Sequence, residues 1–66
     1  MDLDLHGVKH YQVQELVLNH VGRHKPPYKI ITGNSTKMRE IVSSILHEYK
    51  IDYILWKDNL GSISVL

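Results

Sequence analysis

The sequence predicts an α/β fold, an α+β two-layer sandwich in which two helices cover one face of a four-stranded mixed sheet. Two short apolar stretches each end at a glycine, and a helical pattern follows each of them. Two further short stretches, separated by a polar turn, close the chain. The predicted element order is therefore β-α-β-α-β-β, in a single domain that spans residues 1–66.

The first strand is predicted over 3–6, where leucines alternate with polar side chains. Because strand side chains point alternately to opposite faces, its leucines are expected in the core. Asp2, Asp4 and His6 would line the other face. Gly7 permits a tight turn directly after the strand, and His6 is therefore expected at the strand end.

The first helix is predicted over 10–22, where apolar residues recur with helical spacing. Gly22 is a plausible C-terminal stop. The pair Pro26-Pro27 cannot continue a helix, so it should form a short stiff connection into a second strand over 28–32. The expected core positions of this helix are Val13, Leu16, Val17 and Val21.

The second helix has the clearest pattern in the chain, and Ser35 or Thr36 can serve as its N-cap. A third strand is predicted over 52–56 and a fourth over 62–66, with a turn at 57–61 between them. The apolar residues of this helix that follow the helical spacing are Met38, Ile41, Val42, Ile45, Leu46 and Tyr49.

The connections between the strands predict the strand order. The two crossovers should be right-handed and should keep both helices on one face, and the last two strands should form a hairpin. The order 1-2-4-3 with strand 4 antiparallel meets these requirements. The other face is left open and carries Asp2, Asp4, Ser62 and Ser64. Tyr53 and Trp56 fall on opposite faces of the third strand. The residue that faces the open side could stack a nucleic-acid base. The favoured interpretation is that these aromatic residues stabilise the core.

The composition limits the functional classes. The chain is 42% hydrophobic and 23% charged, which argues against disorder. It has no cysteine, which favours a reducing cytoplasm and excludes thiolate metal sites. No apolar run is long enough to span a membrane, and no membrane partner is expected. The net charge of +1 is too small for a protein that binds nucleic acid by bulk charge, so any polyanion contact must come from local clustering.

Such a cluster is predicted at the carboxyl ends of the first two strands. Both helices begin there, and helix N-termini offer unpaired N–H groups and partial positive charge to an anion such as phosphate. His6 would reach the same edge and could serve as a general acid or base in phosphodiester cleavage. The candidate phosphate-binding residues are Gly7, Lys9, Gly33, Asn34, Ser35, Lys37 and Arg39.

A metal site is an alternative interpretation of the first strand. Asp2, Asp4 and His6 share one face and could hold a hard divalent ion such as Mg²⁺. No fourth ligand is visible in the sequence, and such a set more often forms an exposed polar face. We therefore assign no metal ligands, and no cofactor other than Mg²⁺ is considered.

Two segments resemble motifs of a known family. The stretch at 3–7, Leu-Asp-Leu-His-Gly, matches the Leu-Asp-x-His-Gly signature of small MutS-related (Smr) domains, and 31–33 resembles the start of their Thr-Gly-x-Gly motif. The segment 59–66 is similar to their glycine-led last strand. The resemblance covers essentially the whole chain. It implies the two-layer fold of the C-terminal domain of bacterial initiation factor three, and nucleic-acid binding with nicking or RNA endonuclease activity in some members.

The family's active residues correspond here to Asp4, His6, Thr32 and Gly33, so the resemblance implies Asp4, His6 and Thr32 as catalytic candidates. The chain departs from the family where Ser35 replaces the second glycine of the Thr-Gly-x-Gly motif. The loop that follows is contracted, and a shorter loop has fewer groups to hold a substrate.

Three hypotheses for function follow. In the first, the chain cleaves phosphodiesters of RNA or branched DNA: His6 transfers a proton, Asp4 orients it or holds a metal, and Lys37 with the amides of 33–35 holds phosphate. In the second, the same edge belongs to a non-catalytic adaptor that binds RNA, DNA or a protein. In the third, the chain forms a homo-oligomer through the open sheet face or an edge strand.

Overall fold

The computed structural model describes residues 1–66 and confirms the small α/β fold. The sheet has the predicted order β1-β2-β4-β3, with β1 parallel to β2 and with β4 antiparallel to both of its neighbours. Neither helix is long and apolar enough to cross a membrane. The elements are β1 (Leu3–Asp4), α1 (His10–Arg23), β2 (Tyr28–Ile31), α2 (Thr36–Glu48), β3 (Tyr53–Leu55) and β4 (Ser62–Val65).

Strand β1 is shorter than the predicted 3–6 because the chain turns immediately after it. Leu5 still donates its N–H to the carbonyl of Ile31, at 2.8 Å. The N–H of Val8 then closes a turn onto the carbonyl of Leu5 at 3.0 Å, and Gly7 has a φ of +80°. This left-handed conformation suits the third position of a type II turn, which explains the glycine.

The two helices begin differently. Of the two predicted N-cap candidates for α2, Ser35 takes the role, and its Oγ accepts a hydrogen bond from the N–H of Met38 at 3.0 Å. Lys9 is the N-cap residue of α1 and makes no side-chain cap. Helix α1 also continues through Gly22 to Arg23, one residue beyond the predicted stop.

The core lies between the sheet and the two helices. Most of the expected positions are buried, but the prediction for Leu16 is wrong, because its side chain is 37% exposed. The buried stripe of α1 runs through Val13, Val17 and His20, which leaves Leu16 at its margin. Val21 and Ile41 are half-buried at the edge of the same core. The buried apolar residues are Leu5, Val13, Val17, Tyr28, Ile30, Met38, Val42, Ile45, Leu46, Ile63 and Val65.

A histidine lies on the buried face of α1. His20 is 9% exposed, and its Nε2 lies 2.7 Å from the carbonyl oxygen of Met1. Its ring centroid is 4.3 Å from that of His24 and 4.7 Å from that of Tyr28, which it meets edge-on. Desolvation lowers the pKa of His24, and repulsion from His20, the N-terminal amine and Arg23 lowers it further. Burial raises the pKa of Tyr28.

The face of the sheet turned away from the helices is open, as predicted, but Ser62 is not exposed there. Its side chain is 6% exposed, and its Oγ has no hydrogen-bond partner. Register places Ser62 opposite Ile31 of β2. Trp56 follows β3 directly and donates its indole N–H to the Oγ of Ser64 at 2.8 Å. Trp56 therefore lies on the open face and Tyr53 on the helix side.

Candidate anion-binding site

The two glycine-ended strands bring His6 and Gly33 together. Gly33 has a φ of +69°, and a β-carbon placed there would lie only 3.0 Å from Cδ2 of His6. The imidazole ring therefore rests against the backbone of the second motif. The only hydrogen bond of His6 is the one its backbone N–H donates to Asp4, so both ring nitrogens are free for a ligand.

Asp4 does not orient the imidazole. Its Oδ1 accepts the backbone N–H of His6 at 2.9 Å, which fixes the turn after β1. Asp2 is also engaged, because its Oδ1 accepts the N–H of Lys29 at 2.8 Å. No group of three His, Cys, Asp or Glu side chains could hold a metal ion. The residues present therefore do not fit the Mg²⁺ interpretation.

Thr32 is buried beneath the site. It is 2% exposed, and its Oγ1 donates to the carbonyl of Gly33 at 3.2 Å. The N–H groups of Thr32 and Gly33 both donate to the carbonyl of Gly61, at 2.8 and 3.1 Å. In this arrangement the Thr32 hydroxyl cannot touch a substrate and the Gly33 amide is not free to bind phosphate. Both residues instead position the loop that follows them.

The free backbone donors lie one residue further along. The amides of Asn34, Ser35, Thr36 and Lys37 have no acceptor within the chain, whereas the next two amides donate to Ser35. Four successive unpaired N–H groups at the start of α2, with the positive end of the helix dipole, form an anion-binding arrangement.

Arg39 holds the β3–β4 loop. One terminal nitrogen, Nη1, donates to the carbonyls of Leu60 at 3.2 Å and Ser62 at 2.9 Å. The other, Nη2, donates to the carbonyl of Trp56 at 3.0 Å. Arg39 as a whole is half-buried. Arg39 therefore differs from the freely available phosphate ligand expected from the sequence: its charge faces the site, but three of its hydrogen bonds are committed to the loop.

An open cavity of about 530 Å³ adjoins the first three residues with free amides. Its walls are the segment 34–36, Arg39 and Leu60. The loop that carries Leu60 and Gly61 was not identified as part of the site from the sequence. A signal was present, because an antiparallel fourth strand must begin at the edge where the first two strands end.

The two lysines predicted for the site are both exposed. Lys9 immediately precedes α1, and Lys37 is in the first turn of α2. Lys37 also lines a groove of about 410 Å³ between the two helices, together with Tyr11 and Glu40. The predicted residues therefore lie at one edge of the sheet. Gly7 forms the turn after β1, and nothing lies within 4 Å of a β-carbon placed on it.

Comparison with known proteins found no matching family model, no matching curated protein and no matching solved structure. The Smr resemblance thus remains a prediction that depends on the motif residues at 3–7 and 31–33.

Proposed function

We propose that this chain binds nucleic acid, and that a backbone phosphate occupies the cavity at the start of α2. The observation that carries the proposal is the run of four unpaired amides from Asn34 to Lys37, of which the first three belong to residues that line that cavity. Lys37 and the half-buried residue Arg39 add positive charge near these donors. Phosphate oxygens accept hydrogen bonds from backbone N–H groups without regard to base sequence, so the contact would position a strand rather than read it.

Single-stranded or branched nucleic acid fits this edge better than a plain duplex. The cavity is formed by a loop and the start of a helix, and both helices pack one face into the core against the sheet. Recognition of unpaired strands depends on backbone contacts and on stacking of splayed bases. We favour RNA or branched DNA as the ligand on these grounds.

Cleavage of the bound strand is a second candidate function, and the ring of His6 favours it. The ring contacts Gly33, next to the proposed phosphate position, and both of its nitrogens are unpaired. A free imidazole at that place could transfer a proton to or from a phosphodiester oxygen. Asp4 and Thr32 would act indirectly, because one fixes the turn and the other is buried. The competing proposal is an adaptor that binds its ligand without cleaving it.

Binding is tested by fluorescence anisotropy of a labelled single-stranded RNA at several salt concentrations. Lys37→Ala should weaken binding and reduce the slope of log K against log salt by about 1, because one phosphate contact is lost. Lys25→Ala is the matched control, since Lys25 is exposed beyond the opposite end of α1 and should leave the slope unchanged. Equal slopes for wild type and Lys37→Ala would place the binding surface elsewhere.

Cleavage is tested with the same RNA and with supercoiled and branched DNA. If His6 transfers a proton, His6→Ala should slow cleavage by roughly 10²–10⁴-fold and leave affinity nearly intact. A wild type that binds but leaves every substrate intact is the adaptor. Cleavage that persists unchanged in folded His6→Ala would eliminate the mechanism.

A further inference from the structure

Trp56 is held in place at both its backbone and its side chain, yet much of its ring remains exposed. Its carbonyl accepts a hydrogen bond from Arg39 at 3.0 Å, and its indole N–H donates to Ser64 at 2.8 Å. The side chain is nevertheless 43% exposed. A large aromatic surface that is both fixed in orientation and open to solvent is prepared for a planar partner, because little conformational entropy is lost when it is covered.

The same guanidinium connects this ring to the proposed phosphate site. Arg39 lines the cavity beside the free amides, and it also binds the carbonyl of Trp56. Arg39 thus fixes the backbone of Trp56 next to the cavity, while the indole reaches across the open sheet face to Ser64. A strand whose phosphate occupies the cavity would reach the indole by crossing onto that face.

The surroundings of the ring combine an apolar lining with a cation, which suits the flat base and the phosphate of a nucleotide. Trp56 lines an open cavity of about 380 Å³ with the apolar or aromatic residues Pro27, Tyr28, Val65 and Leu66 and with the polar residues Asp2, Lys29 and Ser64. Lys29 offers a cation to a phosphate, and Lys57 follows the tryptophan in the chain. One carboxylate oxygen of Asp2 is already occupied, since its Oδ1 accepts the N–H of Lys29.

We infer that Trp56 is the stacking platform for an unpaired base of the strand bound at the start of α2. The inference rests on the proposed function and adds a second contact to it. Stacking on an aromatic ring tolerates any base, so this contact would select single-stranded over paired nucleic acid without selecting a sequence. Ser64 is a positioning residue, because its Oγ fixes the plane of the indole.

The chain has one tryptophan and four tyrosines, so fluorescence excited at the red edge of the absorption band, where only indole absorbs, reports on this ring alone. The test titrates the protein with single-stranded oligouridylate and, separately, with a sugar–phosphate oligomer of the same length that lacks bases, while anisotropy of labelled forms records binding. We expect the oligouridylate to quench the fluorescence and to bind more tightly. The base-free oligomer should bind through Lys37 without quenching.

Substitutions provide the second measurement. Trp56→Ala should weaken oligouridylate binding by roughly 5- to 150-fold, and Trp56→Phe should retain most of the affinity. Binding of the base-free oligomer should be unchanged in Trp56→Phe. Tyr49→Ala is the matched control, since Tyr49 is 47% exposed at the far end of α2 and should have no effect.

Binding of oligouridylate with no change in tryptophan fluorescence would overturn the inference and leave the proposed function intact. Absence of binding by anisotropy would overturn both. A fluorescence change that follows protein concentration in the absence of nucleic acid would also overturn the inference, because it would assign the ring to contact between copies of the chain.

Discussion

The imidazole of His6 lies so close to Gly33 that a β-carbon on the glycine would fall 3.0 Å from Cδ2 of the ring. This contact joins the two glycine-ended strands at the edge of the sheet. It also ties the position of the histidine to the loop that leads into the free amides of α2. Gly33 is therefore required for two reasons, its left-handed backbone and the ring beside it.

Gly33→Ala should destabilise the fold more than Gly7→Ala. Both glycines have positive φ values, +69° and +80°, so each alanine would cost about 1–2 kcal/mol of backbone strain. Only the alanine at Gly33 would also press on a side chain, because nothing lies within 4 Å of a β-carbon at Gly7. Urea unfolding of both variants measures the difference, and the excess should shrink in a His6→Ala background. Equal costs in both backgrounds would show that the ring does not constrain Gly33.

Arg39→Lys should lower stability even though it keeps the charge. Lysine cannot reproduce the guanidinium fork that binds the carbonyls of Trp56, Leu60 and Ser62. We expect a loss of about 1–3 kcal/mol in the free energy of unfolding, whereas Lys37→Ala should change it little because Lys37 is exposed. The sequence alone predicts no stability role for Arg39. Denaturation midpoints that coincide for wild type and Arg39→Lys would contradict the structural assignment.

The topology could be predicted because it depends on patterns with a fixed period. Alternation in the first strand and helical spacing in the second helix determine which faces are apolar, and crossover handedness then selects the strand order. The N-cap at Ser35 could also be predicted, since a serine before a helix has one dominant role. These predictions need only local sequence and one global rule.

The partners of the site's polar groups could not be predicted in this way. The Gly33 amide donates to the carbonyl of Gly61, and the Arg39 guanidinium donates to carbonyls that lie 17 to 23 residues away in the sequence. Nothing local in the sequence distinguishes a guanidinium that binds carbonyls within the chain from one that is free to bind phosphate. The exposure of Leu16 is likewise not predicted, because the buried stripe of α1 runs through Val13, Val17 and His20 and leaves Leu16 at its margin.

Leu46→Ala should cost far more stability than Leu16→Ala. Leu46 is fully buried between the helices and the sheet, while Leu16 is 37% exposed. Removal of a buried leucine side chain leaves a cavity and costs about 2–5 kcal/mol, a large share of the stability of a small domain. Chemical denaturation of the two variants makes a matched comparison, because the substitution is the same. Similar losses would mean that the two-layer packing is wrong.

Stability should fall as pH decreases because of His24. Its pKa is lowered in the folded state by desolvation and by neighbouring positive charge, so the unfolded chain binds a proton more readily. Stability is therefore retained above the ordinary pKa of 6.5 and lost as pH falls through the lower folded value. The denaturation midpoint of His24→Gln, measured relative to that of wild type, should be higher at about pH 5 than at about pH 8. A difference between the two proteins that stays constant with pH would refute this linkage.

The most direct test of nucleic-acid binding at the start of α2 is an amide NMR titration of the ¹⁵N-labelled chain with single-stranded RNA. If phosphate binds there, the largest shift changes should fall on Asn34, Ser35, Thr36 and Lys37, whose N–H groups have no acceptor in the chain. Amides at the opposite edge of the sheet, around Lys25 and Lys50, should stay unchanged. Saturable binding in which the four amides do not shift, with the changes confined to another surface, would contradict phosphate binding at the start of α2.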